Sequence, residues 1–380
     1  MSSDGPLGLY VHIPFCEAKC TYCHFAIDPR RPDDERQERY TRALLLEMDA
    51  VETSAADTLY FGGGTPSLLA AERLARIVAL ARRRFALPDG AEVTVEANPR
   101  DLDQSGYRSL LDLGATRLSL GVQSLDDTVL AEMARHHTAE DSRQAVREAR
   151  SAGFTNLSLD LILGWPGETR ERFSRGLEEL LLLEPDHVSL YVLEVDGKTV
   201  LSHRKRQGRL SLPEDDLVAE LYDETVEYLA KGGLARYEIS NFARPGFESC
   251  HNGKYWDDAP FLGFGMAAHS YRDGRRFWNH DRFATYCRAV EAGGGQAARV
   301  GERRPSPCER AAEALFTGLR RREGVRLAAF RARYGIDPFV EWKHDLDSVE
   351  RAGLVAVGED RLRLTDRGVL LSNEVFAIFV

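Results

Sequence analysis

The stretch Tyr10-Val-His-Ile-Pro-Phe-Cys16-Glu-Ala-Lys-Cys20-Thr-Tyr-Cys23-His24-Phe25 decides how the rest of the chain is read. Its first half is a short β-rich run, long enough for one strand. Its second half sets Cys16, Cys20 and Cys23 on the loop that leaves that strand. Cysteine thiolates are the ligands of iron–sulfur clusters, and a 4Fe-4S cube normally takes four of them. Three on one loop hold three irons and leave the fourth open to a small molecule. Other chemistries compete for the same residues. A structural zinc site wants four closed ligands, and Cys250, Cys287 and Cys308 lie far off in sequence. A dithiol redox pair needs only Cys20 and Cys23. Cys20-Thr-Tyr-Cys23-His24 also fits the c-type haem attachment pattern, a chemistry that normally follows export.

Working outward, β-rich runs recur at Leu9 to Ile13, Thr58 to Phe61, Val93 to Glu96, Arg117 to Leu120, Leu157 to Ile162 and His187 to Leu193. Segments with helical spacing, such as Tyr40 to Val51, Leu74 to Phe85 and Phe173 to Leu183, lie between them. Strands alternating with helices predict βαβ units around a parallel sheet. Six units fit an open or partial (β/α)6 barrel, whose chemistry is built on the rim after the strand ends. Polar residues stand at that rim: Glu96, Gln123 and Asp160, with Arg135 as a cation able to meet a carboxylate. Gly62-Gly63-Gly64-Thr65-Pro66 follows the second strand, and its glycines free the backbone for close approach.

Beyond the sixth strand the sequence predicts a helix from Leu212 to Ala230 and a strand from Leu234 to Ile239. Asn241 to Tyr271 is rich in Gly, aromatic and His residues without a sustained period, and reads as an ordered functional loop. The Gly293 to Gly295 patch ahead of Pro305 and Pro307 marks a boundary. Three helices (Cys308 to Arg322, Leu327 to Tyr334, Asp345 to Ala352), a hairpin (Leu354 to Val357, Leu362 to Leu364) and a last helix then form a small winged-helix-like module. The expected division is a barrel core over 1–200, an extension over 201–300 and the C-terminal module over 301–380.

A formal net charge of −10 argues against a general nucleic-acid binder, which needs a basic surface. The basic cluster Arg204, Lys205 and Arg206 reads as a solvated loop. No apolar run approaches the roughly 18 residues that span a bilayer. Met1 to Gly8 is short and polar and lacks the parts of a secretory signal, so a cytoplasmic chain with reduced thiols is expected.

Cys-x3-Cys-x2-Cys after a first strand resembles the radical-SAM signature. The stretches Tyr-Val-His-Ile-Pro-Phe-Cys, Gly-Gly-Gly-Thr-Pro, Val-Glu-Ala-Asn-Pro, Leu-Ser-Leu-Gly-Val-Gln-Ser and Asp-Leu-Ile-Leu-Gly-Trp-Pro run from Tyr10 to Pro166. They resemble the coproporphyrinogen-oxidase-like (HemN/HemW) branch of radical-SAM proteins, whose C-terminal layout also matches. The resemblance implies a 4Fe-4S cluster on Cys16, Cys20 and Cys23 whose open iron chelates S-adenosylmethionine (SAM), which electron transfer then cleaves. The implied SAM pocket comprises Tyr10, Tyr22, Gly63, Gly64, Thr65, Glu96, Gln123, Arg135 and Asp160, with Glu194 as an outlying addition.

Two details divide the branches. The oxidases resemble Cys-x3-Cys-x2-Cys-x-Cys, and this chain has Phe25 at the last position. The heme-chaperone branch usually reads Cys-Asp-Phe, so His24 is a departure. His251-Asn252-Gly-Lys-Tyr255-Trp256 is similar to the chaperones' His-Asn-x-x-Tyr-Trp motif, associated with heme binding. A neutral imidazole is a good axial ligand for heme iron, and His269 and Cys250 are alternative ligands. The resemblance therefore implies a chaperone that binds heme and delivers it to hemoproteins such as respiratory enzymes. A homodimer, peripheral contact with membrane-bound recipients and SAM turnover stay open. The competing readings are an oxygen-independent coproporphyrinogen III oxidase, which converts two propionates to vinyl groups, and a radical-SAM heme-degrading enzyme.

Overall fold

The computed structural model describes residues 5–30, 32–52, 54–195 and 197–380; Met1 to Asp4 of the short polar stretch Met1 to Gly8 fall outside them. Six strands, β1 (Leu7–Ile13), β2 (Ala56–Gly63), β3 (Glu92–Ala97), β4 (Arg117–Gln123), β5 (Leu157–Leu163) and β6 (His187–Val192), lie side by side in chain order, all parallel. Helices connect them, among them Asp34–Asp49, Ala71–Phe85, Ala139–Ala152 and Arg170–Leu182. Several are capped from their own sequence: Asp33 accepts from the Arg36 N–H, and Thr138 with Asp141 forms a capping box.

The two faces of this sheet differ in chemistry. Leu9, Val11 and Ile13 of β1, with Leu59 and Phe61 of β2, are buried in the apolar core that includes the helices' Leu44, Leu74 and Ile77. Burying each such side chain contributes about 1.5–3 kcal/mol. The alternate positions carry Tyr10, Tyr60, Glu96, Arg117, Ser119, Asp160 and His187. Parallel strands usually read as continuous apolar runs. Polar residues on one face mark an interior kept for chemistry.

The barrel stays open, because other strands pair with both of its outer members. β7 (Ala235–Arg236) and β8 (Asn241–Ala243) add antiparallel beside β6. On the other side β9 (Phe261–Phe264) pairs parallel with β1, followed by β10 (His269–Arg272), β11 (Arg275–Asn279) and β12 (Arg299–Arg303). The result is a twelve-stranded sheet among the described residues. Buried Glu47 ties the extension to the first helix, accepting from the Gly265 N–H (2.8 Å), Asn279 Nδ2 (2.6 Å) and the Tyr286 hydroxyl (2.6 Å).

Several sequence expectations are corrected. The basic cluster at Arg204 to Arg206 is exposed but helical, in the last turn of Val200–Arg206, where positive charge suits the helix dipole. The expected strand Leu234 to Ile239 shrinks to β7. The stretch Asn241 to Tyr271 holds β8, a helix (Cys250–Trp256), β9 and part of β10, elements too short to show a period. Gly293 closes the helix Phe283–Gly293, and Gly295 packs so close that a Cβ would sit 2.2 Å from Leu46 O. The main sheet therefore continues through Arg303.

The C-terminal module contains helices Pro307–Gly318, Leu327–Tyr334 and Lys343–Arg351. Its small sheet joins β13 (Val325–Arg326), β14 (Val355–Val357) and β15 (Arg361–Leu364) in the order β13-β15-β14. No described helix is long and apolar enough to cross a membrane.

Candidate cofactor site

The cysteine loop leaves β1 and is closed at its base by the Asp28 N–H donating to Pro14 O at 2.7 Å. It is strapped in the middle, where the Thr21 N–H donates to Met133 O and Thr21 O accepts from the Leu201 N–H, both at 3.1 Å. Cys16, Cys20 and Cys23 are free and half-buried. Asn98 Nδ2 donates to Thr65 Oγ1 (3.1 Å), whose hydroxyl is also hydrogen-bonded with Cys16 Sγ (3.3 Å). Arg135 donates to Cys20 Sγ at 3.6 Å, to Gly121 O at 2.6 Å and to Asn98 Oδ1. Two sulfurs thus bond to one network of Thr65, Asn98 and Arg135.

Burial pushes the Cys16 thiol up to about 11, opposed by the Thr65 hydrogen bond, and raises Cys23 as well. Cys16 and Cys23 in the bare loop therefore hold protons that a metal must displace. Cys250, Cys287 and Cys308 lie elsewhere: on the Cys250–Trp256 helix, in the helix Phe283–Gly293, and 3.5 Å from Glu341 Oε1. Among the described residues no three His, Cys, Asp or Glu groups converge on a single ion. A cube that spreads its thiolates over different irons does not require such convergence. The half-buried sulfurs with their polar partners fit it.

The glycine turn packs against this loop. Gly64 donates to Ile13 O at 2.8 Å, and a Cβ there would come within 2.5 Å of Phe15 O. Gly63, at φ +113°, faces the His12 ring at a similar distance. These glycines let the protein's own cysteine loop sit down on β2, a closer use than the ligand approach expected of them. The His12 Nε2–H donates to Ala26 O (2.8 Å), so its Nδ1 accepts from the Tyr10 hydroxyl (3.1 Å). Burial lowers His12 to about 4 and keeps it neutral.

Glu96 accepts from the Tyr60 hydroxyl (2.7 Å) and the Gly63 N–H (3.2 Å). Burial nevertheless raises its carboxyl to about 7. Asp160, raised likewise by burial, accepts from the Ser119 hydroxyl at 3.2 Å, and buried Arg117 acts on both carboxyls. Gln123 stands at φ +66° beside a register shift between β4 and β5, a backbone that non-glycine residues adopt only under constraint. Tyr22 packs edge-on against Trp165, ring centroids 6.1 Å apart. Glu194 is exposed and makes no hydrogen bond to these groups among the described residues.

The His251 segment sits elsewhere. Its helix starts on the first residue of β3: Glu92 accepts from the Cys250 and His251 N–H groups at 2.8 and 2.9 Å. Buried His251 bonds the Thr58 hydroxyl through Nδ1 and the Tyr255 hydroxyl through Nε2, each at 2.9 Å. Thr58 and Gly8 flank it near the starts of β2 and β1, the opposite end from the cysteine loop. Tyr60 connects the two ends: its ring stacks on His251 (5.2 Å) and Tyr10 (6.2 Å) while its hydroxyl reaches Glu96. Asn252 is half-buried, and Trp256 turns away to lie under Arg320, 4.6 Å from the guanidinium carbon. His269 is exposed and stacks on Trp278 at 6.1 Å.

Sequence reading missed Asn98, Tyr60 and Arg117. Asn98 carried a signal, as the Asn of Val-Glu-Ala-Asn-Pro. Tyr60 and Arg117 were hidden inside strands that looked like sheet core.

The Radical SAM superfamily matches residues 10–180, and the HemN C-terminal domain matches residues 306–371. The heme chaperone HemW of Lactococcus lactis is 35% identical over 377 residues, covering 99% of this chain and 97% of that protein. HemW of Bacillus subtilis is 36% identical over 378 residues, 98% of each chain. The solved structure of Escherichia coli coproporphyrinogen III oxidase (HemN), a radical SAM enzyme, superposes with a TM-score of 0.85 at 24% identity, over 99% of this chain and 90% of that one; it shares the fold. With relatives of such identity matched from end to end, this chain belongs to the HemW family of radical SAM proteins.

Proposed function

We propose that the chain is a heme chaperone, binding heme and passing it to hemoproteins. The full-length likeness to heme chaperones carries this reading, and Phe25 in place of a fourth loop cysteine supports it over an oxidase. Cys16, Cys20 and Cys23 would hold a 4Fe-4S cluster, which when bound supplies an open iron for SAM and an electron. The chain's own residues do the rest. Thr65 bonds Cys16 Sγ, and the Arg135 guanidinium donates to Cys20 Sγ, so both sulfurs are held in place by this network. Gly63 and Tyr60 hold the Glu96 carboxyl, and Asp160, Gln123, Tyr10 and Tyr22 complete the proposed SAM pocket, with Glu194 at its margin. His251, Asn252, Tyr255 and Trp256 form the proposed heme segment, with His269 as a second imidazole. Recipient proteins at a membrane and a second copy of the chain are further proposed partners.

The test is an anaerobic assay on reconstituted protein with coproporphyrinogen III, SAM and a strong reductant, beside transfer of bound heme to an apo-hemoprotein. Heme transfer without protoporphyrinogen is expected. Protoporphyrinogen over many turnovers would replace the chaperone with an oxidase.

Glu96 makes SAM binding depend on pH. Its carboxyl is raised from 4.5 to about 7, so ionisation is completed only above neutrality. A cationic ligand prefers the carboxylate. SAM affinity in equilibrium dialysis should therefore rise from about pH 6 to about pH 8 and then level. Glu96→Gln should bind about tenfold more weakly at the upper pH and show no such rise. Equal slopes in parent and variant would remove Glu96 from the pocket.

A further inference from the structure

Where residues 236–239 meet the C-terminal module, a cleft of about 240 Å³ is lined by Arg236, Arg320, Arg321, Arg322, Arg363 and Asp366, among others. Backbone pairing puts the arginine run there. After the helix Pro307–Gly318, Arg320 O accepts from the Ile239 N–H (3.1 Å), and the Arg322 N–H donates to Tyr237 O (3.0 Å). Three guanidiniums meet carboxylates: Arg236 with Asp366 (3.0 Å), Arg321 with Asp257 (2.5 Å) and Arg320 with Glu238 (3.6 Å). Arg322 and Arg363 are exposed and form no ion pair among the described residues. Buried Arg320 Nε has no hydrogen-bond partner there. One small cleft therefore carries two unmatched positive charges.

Guanidinium groups bind carboxylates and phosphates through paired N–H donors and stay charged at any physiological pH. We propose that this cleft binds a dianion, presented either as two carboxylates on one molecule or as a phosphate. Proximity favours the carboxylates. Arg320 lies over Trp256, the last residue of the proposed heme segment, and heme carries two propionates. That source rests on the heme reading above; the phosphate source does not.

The test uses the full chain and the double variant Arg322→Ala/Arg363→Ala, both exposed positions whose loss should leave the melting curve unchanged. Calorimetric titration with inorganic phosphate should be saturable in the parent and about tenfold weaker in the variant. Separate titrations compare heme with its dimethyl ester, which lacks the charges. A parent preference for heme that the variant loses upholds the cleft and names the carboxylates as its occupant. Phosphate binding lost with heme binding intact upholds the cleft with phosphate instead. Phosphate binding absent or equal in both chains, with an equal heme preference in both, overturns it. A parent that binds no heme at all defeats the cargo reading alone, and the phosphate titration then decides the cleft.

Discussion

Replacing Cys16, Cys20 or Cys23 singly by Ala should reduce the iron recovered after anaerobic reconstitution from about four per chain to near zero. The visible absorbance of the cluster should vanish with it. With three protein thiolates available, losing one leaves two irons without protein ligands, and no fourth cysteine stands near to replace it. Cys250, Cys287 and Cys308 sit on other elements, each fixed by its own surroundings. Cys250→Ala is therefore the control, expected to hold iron like the parent. The loss should be one of ligation and not of folding. The cysteines are half-buried, and the loop is anchored through backbone bonds of Thr21 and Asp28 that substitution leaves intact. The far-ultraviolet spectrum and thermal midpoint of each variant without iron should match those of the parent. A Cys20→Ala protein that still took up about four irons would show that the three-cysteine loop is not the cluster's seat.

That expectation was legible in the sequence because ligand spacing on one loop is local. The six parallel strands were legible for a related reason: each is a short β-rich run bounded by turn residues, and five fall within two residues of their expected limits, while β4 runs three residues further, to Gln123. What failed to show was whatever depends on distant partners. Glu96 and Asp160 could be named from their strands, and Arg135 as a cation able to meet a carboxylate, but Asp160 lies in the middle of β5 and not at its rim, and the joining of these groups with Asn98 and Arg117 is made across the barrel interior. Tyr60 reads as one more strand aromatic until its ring is seen between Tyr10 and His251. The fragmented stretch from Asn241 to Tyr271 hid its elements because strands of three or four residues and a seven-residue helix are shorter than the windows in which periodicity can be counted.

His251 is the sharpest case, and its two roles can be separated by measurement. Its ring is buried, stacked on Tyr60, and both nitrogens are engaged. Burial holds it neutral, lowered to about 3. His251→Ala should cost about 3–5 kcal/mol in urea unfolding of the chain without heme, from the cavity and from the Thr58 and Tyr255 hydroxyls left without a partner. That penalty follows from packing alone and says nothing about iron. Tyr255→Phe gives the second answer. It keeps the aromatic ring, removes one hydrogen bond worth about 1 kcal/mol, and frees His251 Nε2. If that nitrogen is the one that meets heme iron, the competing bond no longer has to break, and heme should bind about fivefold more tightly in Tyr255→Phe. His269→Ala should then bind heme like the parent. If Tyr255→Phe leaves heme affinity unchanged and His269→Ala weakens it, the axial ligand is the exposed imidazole beside Trp278. His251 would then be the stacked ring that joins the start of β2 to the cofactor end of the barrel.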